Sequence, residues 1–287
     1  MRFDKTDLHF LLVSSRSVLH EIHDTRDRSV LLAGVFDGHG GTAASTMAAE
    51  TLPSLVSQEL LFNTSIPSVE DVLVSAWETV GEAYRLTCSD SDTCSADYDP
   101  KEGTLNANTG SEDLIAGTTA SIFGLDETTG SLTFMNCGDS RSILIDNSGK
   151  VVFETSDHTL QAEQQRFLQG VEAGLNYSVP ECFLSRWWLP VGEYEYALGR
   201  SLEGPFATSK GIISVPDVVT LKAEPGMIIV SASDGLYDVM DSEEVAHYLA
   251  RARDVSKMTA SDAAKTLSNR ALEKGTPDNV SVVVVYL

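Results

Sequence analysis

Four stretches of the chain place an acidic residue where an apolar run gives way to a turn. They are Phe36-Asp37-Gly38-His39-Gly40-Gly41, Cys137-Gly138-Asp139-Ser140-Arg141, Ser233-Asp234-Gly235 and Pro277-Asp278-Asn279. Strand ends are rigid, carboxylate oxygens are hard ligands for a divalent cation, and a neighbouring glycine lets the cation reach a peptide carbonyl. Carboxylates gathered this way repel one another strongly unless a cation neutralises them. Each motif alone reads as a turn, because Asp-Gly is a frequent turn dipeptide, and His39 alone reads as a structural histidine. Their joint occurrence in this order is what points to metal chemistry.

The elements that must carry these residues follow from hydrophobic period and turn chemistry. Ser29–Phe36 is a short apolar run opening into the Asp37 loop, which predicts a buried strand. Thr42 caps an Ala-rich helix to about Leu52, and Ser68 with Asp71 forms a capping-box start for a second helix. The polar stretch 88–113 reads as a flexible surface insertion. A calcium-loop reading of its Asp90 and Asp92 fails, since Ser95 and Lys101 stand where the loop needs Gly and Glu. Strands are predicted at Thr118–Leu125, Ser131–Asn136, Arg141–Asp146 and Val151–Thr155, linked by turns into a meander. A helix is predicted at Gln161–Leu168, and 170–199 shows no clear period and reads as an irregular lobe. Met227–Ala232 is a buried strand entering Ser-Asp-Gly. Helices follow, one from Asp241 or Ser242 to about Ala252 and one from Ser261 to near Gly275. The closing run Val280–Leu287 is β-branched and apolar enough to predict a central strand. Grouped rather than alternating strands and helices make the fold class α+β, in a single domain over 1–287.

The chain has 287 residues, enough to bury a full core without disulfide or zinc staples. Its 42 Asp+Glu against 20 Lys+Arg give a formal net charge of -22, which repels nucleic acid and anionic membranes. The four cysteines show no CxxC pair, which argues against a disulfide framework and for a reducing compartment; a Cys88–Cys94 pairing stays open. No run is long and apolar enough for a membrane span, and no signal peptide opens the chain. The expected compartment is cytoplasm or nucleus, with an organelle left open.

Seven segments, GVFDGHGG at 34–41, GTTASIFGL from Gly117, NCGDSRS from Asn136, SDHTL at 156–160, ALGRSLEG at 197–204, SASDGLYDVM at 231–240 and TPDNVSVVVV at 276–285, cover nearly the whole chain. In this order they resemble the metal-dependent protein phosphatases, the type 2C serine/threonine class. The resemblance implies an antiparallel β-sandwich flanked by helix pairs, in α-β-β-α layers, with two Mg²⁺ or Mn²⁺ ions at one end and room for a third. By the matched motifs, Asp37 bridges two ions, Asp234 and Asp278 complete the first, and the Gly38 carbonyl helps hold the second. Asp139 and Asp238 match the positions of a third metal, with a hydrogen-bonded turn as the plain alternative. Such a pair of ions lowers the pKa of a water for in-line attack on phosphorus, with His39 protonating the leaving oxygen. No cysteine opens a CxxxxxR loop, so a cysteine nucleophile is not implied.

The family also carries an arginine that binds the substrate phosphate, followed by Glu-Asp. Arg2 and Asp7 fit that spacing, Asp7 standing behind the metal ligands, while Thr6 occupies the place of the Glu. A second departure is Glu203-Gly204 where the family usually reads Gly-Asp. The lobe 170–199 falls where the family has its variable flap. The implied function is therefore a phosphoserine/phosphothreonine protein phosphatase, acting as a monomer on phosphorylated proteins in signal transduction. The alternative is a weak or inactive pseudophosphatase that binds phosphoproteins. A structural calcium-binding protein would explain the acidity but neither the strand-end placement nor His39.

Overall fold

In a computed structural model of the chain, the described residues are 16–23, 28–62, 67–90, 96–99, 104–107, 115–192 and 194–287; residues 89–90, 96–99 and 104–107 are described by backbone alone. Arg2, Thr6, Asp7 and Cys94 lie outside them.

The chain opens with β1 (Arg16–His23), β2 (Ser29–Phe36) and the two-residue β3 (Gly38–His39), then two helices, α1 (Ala43–Phe62) and α2 (Val69–Asp90). A hairpin β4 (Ala96–Asp99) and β5 (Thr104–Ala107) follows within the 88–113 segment. Next come β6 (Gly117–Thr118), β7 (Ala120–Asp126), β8 (Ser131–Cys137), β9 (Arg141–Ile145) and β10 (Val151–Glu154). After α3 (Leu160–Glu172) come β11 (Glu181–Phe183), β12 (Arg186–Val191) and β13 (Tyr194–Tyr196). The last third holds α4 (Pro205–Ser209), β14 (Asp217–Lys222), β15 (Ile228–Ala232), α5 (Asp234–Tyr237), α6 (Ser242–Asp254), α7 (Ala260–Glu273) and β16 (Val282–Tyr286).

Two antiparallel sheets form a sandwich, one in the order β1-β2-β7-β8-β14 and the other β10-β9-β15-β16. Alternation of side chains along each strand explains the continuous apolar runs. In β2, Val30, Leu32 and Phe36 face α1 and α2, while Leu31, Ala33 and Val35 face the opposite sheet. In β16, Val282 and Val284 face α6 and α7, and Val283 and Val285 face the first sheet. Each sheet is thus covered on both faces, giving the α-β-β-α layering that the motifs implied.

Several sequence expectations are corrected. Among the described residues the strand at the C-terminus, expected to be central, pairs on one side only, with β15; cover on both faces accounts for its apolar character. Helix α1 does not stop at Leu52 but runs through Pro53 to Phe62. A proline inside a helix costs about 3 kcal/mol, yet Leu52, Val56 and Leu60 continue the buried stripe at about 1.5–3 kcal/mol each. Burial wins. The expected meander is broken, because β7–β8 pair in one sheet and β9–β10 in the other, so the chain changes sheets at Gly138–Ser140. The lobe 170–199 carries its own sheet, β11-β12-β13, whose first turn sets Leu184 and Ser185 at left-handed φ of 50° and 67°. Helix α7 is capped by Thr259, whose hydroxyl accepts from the Asp262 amide, and so begins before Ser261. Strands β1 and β14 were not anticipated. The Ser68 cap is present: Asp71 N–H donates to Ser68 Oγ at 3.0 Å and the hydroxyl donates back to the carboxylate at 2.6 Å. Among the described residues no helix is long and apolar enough to cross a membrane.

Candidate active site

At one end of the sandwich the strand ends converge on a cavity of about 380 Å³. Asp37 leaves β2 and is pinned through its backbone. Its N–H donates to Thr119 Oγ1 at 3.2 Å, and its carbonyl accepts from Thr119 N at 2.9 Å and Thr118 Oγ1 at 3.1 Å. Gly38 and His39 then pair with Thr118 and Gly117 as a two-stranded ribbon. A Cβ on Gly38 would meet Ser45 Oγ at 2.6 Å, so this close approach to α1 favours glycine.

Asp139 sits on the turn where the chain changes sheets. Gly138 takes φ of +118°, a conformation that favours glycine, and packs against Thr119. Its N–H donates to Nδ1 of the buried His158 at 3.0 Å, which fixes the turn from below. Thr119 and Ser140 share a 2.7 Å hydroxyl bond, so the Asp37 and Asp139 loops are joined across the two sheets.

Asp234 is the first residue of α5, directly beyond β15, and the Asp238 amide donates to its carbonyl at 2.8 Å. Ser233 brackets the facing loop: it donates to the Asn279 carbonyl at 3.1 Å and accepts from Ser281 N at 3.0 Å. That bracket sets Asp278 beside Asp234. The cavity is lined by Asp37, Gly38, His39, Asp139, Asp234 and Asp278, with Ile115, Tyr194, Tyr196 and Leu198 forming an apolar wall. Asp238 stands one step away from this lining.

The carboxylates feel one another. Burial, then Asp234, Asp278 and Asp139, raise Asp37 to about 8. Burial and Asp234 raise Asp139 to about 7, and burial, Asp278 and Asp238 raise Asp234 to about 6. Asp238 is raised by burial and by Asp278. Asp234 Oδ1 is buried with no hydrogen-bond partner. Repulsion among hard oxygen donors, an orphaned carboxylate oxygen and a bare Gly38 fit a divalent cation. Among the described residues no group of three or more His, Cys, Asp or Glu side chains is drawn closely enough together to form a ligand cage.

The other side of the cavity is built differently. His39 Nε2 lies 2.5 Å from Glu203 Oε1, and the Ser201 hydroxyl donates to the same oxygen. The Tyr196 ring meets the imidazole edge-on, at 5.9 Å between centroids and 87°. Burial alone would lower the pKa of His39, but Glu203, with Asp139 and Asp37 behind it, raises it above the ordinary imidazole value. Sequence reasoning noted Glu203 only as a departure from a motif and missed Thr119 and Tyr196. Threonine beside a strand start and tyrosine in an aperiodic lobe carry no local signal for a site.

Residues 9–169 and 186–280 match the family described as protein phosphatase 2C. Protein phosphatase 1L of Bos taurus is 27% identical over 259 residues, covering 88% of this chain and 62% of its own length. Protein phosphatase 1B of Homo sapiens is 32% identical over 160 residues, 53% of this chain and 31% of that protein. The chain therefore spans only part of the length of these relatives. Among solved structures, a C. elegans sex determining protein superposes with a TM-score of 0.72 at 20% identity, covering 98% of this chain and 65% of that one. The serine-threonine phosphatase 2C from Toxoplasma gondii gives 0.68 at 15% identity, over 99% and 96% of the two chains. Identities this low speak for the fold; the family match, which includes every acid of the cavity, goes further, and by it the chain belongs to the protein phosphatase 2C family.

Proposed function

We propose that this chain is a metal-dependent phosphoserine/phosphothreonine protein phosphatase. The observation that carries the reading is the convergence of Asp37, Asp139, Asp234 and Asp278 on one cavity, with mutual repulsion that raises three of them. In this reading Asp37, Asp234 and Asp278 with the Gly38 carbonyl hold two Mg²⁺ or Mn²⁺ ions, and Asp139 and Asp238 serve a third. The chemistry that bound cations supply is a water of lowered pKa and neutralisation of charge on the phosphoryl oxygens. The protein's own part is to fix the ligands on strand ends, to present His39 as the proton donor for the departing seryl or threonyl oxygen, and to wall the cavity with Ile115, Tyr196 and Leu198 against bulk water. Phosphorylated proteins are the substrates.

The deciding experiment is hydrolysis of a phosphothreonine peptide by the wild-type chain and Asp234→Asn, each with Mn²⁺ and with a chelator. Turnover that needs Mn²⁺ and disappears in the variant is expected. Turnover that survives the chelator, or near-normal activity of Asp234→Asn at saturating Mn²⁺, would sink the ligand set.

A further inference from the structure

The reaction as described gives no role to Glu203, the buried acid beside His39. The Glu203 side chain has no exposure at all, and its Oε2 is buried without a hydrogen-bond partner. A carboxylate in that position is costly unless a charged donor compensates it. The donor is His39, 164 residues away in sequence and 2.5 Å away in space.

Backbone pairing brings them together. Leu202 exchanges two hydrogen bonds with Thr118, of 3.0 and 2.9 Å, and Gly117, the next residue along, is the strand partner of His39. The carboxylate therefore lies against Gly117 and reaches the imidazole beyond it. A Cβ at Gly117 would collide with Glu203, so the contact depends on a residue with no side chain. On the same ring Tyr196 closes one edge. Glu203 Oε1 already accepts from the Ser201 hydroxyl and so faces the ring as an acceptor, which sets an Nε2–H toward Glu203 and leaves Nδ1 for a substrate.

We propose that Glu203 is the positioning residue of His39: it clamps the ring by Nε2–H so that Nδ1–H is the donor to the leaving oxygen. The inference rests on the reading of His39 as proton donor. As water attacks phosphorus, the P–O bond to the seryl or threonyl oxygen breaks and its electron pair stays on that oxygen. The Nδ1 proton moves there, and a neutral imidazole remains with its Nε2–H still on Glu203. A carboxylate that orients a catalytic imidazole in this manner sets both ring angle and tautomer.

The test compares Glu203→Ala, Glu203→Gln, His39→Gln and the Glu203→Ala/His39→Gln double variant, with Mn²⁺ saturating. Glu203→Ala should lower kcat on a phosphothreonine peptide about 10–100-fold, the usual cost of losing a group that orients an active-site histidine. Hydrolysis of p-nitrophenyl phosphate, whose leaving oxygen needs no proton, and the KM for the peptide should hardly move. Glu203→Gln keeps an acceptor oxygen in the same space, should recover most of the loss, and carries the test should the alanine variant fail to fold. The double variant should be no slower than His39→Gln alone, because Glu203 acts through that ring. Equal losses on both substrates, or an added loss in the double variant, would overturn the proposal. A downfield, slowly exchanging Nε2–H resonance of His39 is expected in the wild type, kept in Glu203→Gln and lost in Glu203→Ala. Should His39→Gln slow both substrates alike, the proton-donor reading falls, and the clamp is then judged by that resonance: its presence in the wild type and loss in Glu203→Ala uphold it, its absence removes it.

Discussion

On the histidine side of the cavity, each charge has its partner within the chain: Glu203 faces His39 at 2.5 Å, Ser201 donates to the same oxygen, and three backbone segments hold the pair in register. On the aspartate side the opposite holds. Asp37, Asp139 and Asp234 are raised by burial and by neighbouring aspartates, with no cationic side chain among the causes that raise them. What distinguishes the two sides is where the compensating charge comes from. A side that balances itself can orient a proton; a side of like charges waits for a cation. The apolar sandwich beneath, with Phe36, Ile122 and Val230 wholly buried, is what holds the four acids close despite their repulsion.

The strongest way to break this contrast is to remove an acid from the repelling side. Asp234→Asn or Asp278→Asn should cut turnover by at least about 10³-fold, since several kcal/mol of charge stabilisation is lost. The circular dichroism spectrum should stay that of the folded protein. A variant that retains activity at saturating Mn²⁺ would show that the two sides are not divided in this way.

A smaller but more selective effect is expected on the self-balanced side. His39→Gln should slow a phosphothreonine peptide by about 10²–10⁴-fold, the range of general acid catalysis. It should spare p-nitrophenyl phosphate, and the Mn²⁺ titration should be nearly unchanged. Parallel loss on both substrates together with weaker metal binding would make His39 a support of the Asp37 loop instead.

The metal-free protein sharpens the comparison through pH. Asp37, Asp139 and Asp234 are raised to about 8, 7 and 6 in the folded chain, above the ordinary aspartate value of 3.8, so the folded state holds more protons than the unfolded one. Their contribution to stability is fully present below the unfolded value and is lost as pH rises through the folded ones. The raised His39 acts in the same direction, and the lowered His158 in the opposite one. The lowered acids Glu163 and Asp217 are already ionised throughout this range. With a chelator present, the melting temperature should therefore fall as pH is raised from about 5 to about 8. Asp37→Asn should flatten that slope, and Mn²⁺ should reverse it. A flat profile in the metal-free wild type would remove the like-charge strain from the description.

The smallest effect belongs to a segment on neither side. Replacing 89–108 with a short Gly-Ser linker should lower the melting temperature by only a few degrees, because so polar a composition buries little apolar area against its ordering entropy. Loss of cooperative unfolding would place the segment in the core.

Much of this molecule is written locally. The run Ser29–Phe36, the Ser68–Asp71 cap and the acids at Asp37, Asp139, Asp234 and Asp278 can each be read from a window of a few residues. Periodicity, capping and turn chemistry act over that range. Tertiary structure alone decided the rest. Whether Val282–Tyr286 is central or at an edge depends on which strand arrives beside it, and its sequence is the same either way. The change of sheet at Gly138–Ser140 follows from the packing of both sheets against their helices, which no single hairpin contains. Pro53 stays helical because the stripe it interrupts is buried against the first sheet. Glu203 meets His39 because Leu202 pairs with Thr118 and Gly117 has no side chain, three facts scattered over the chain that only the fold assembles. Hydrophobic pattern is a property of neighbours in sequence; charge pairing inside a cavity is a property of neighbours in space.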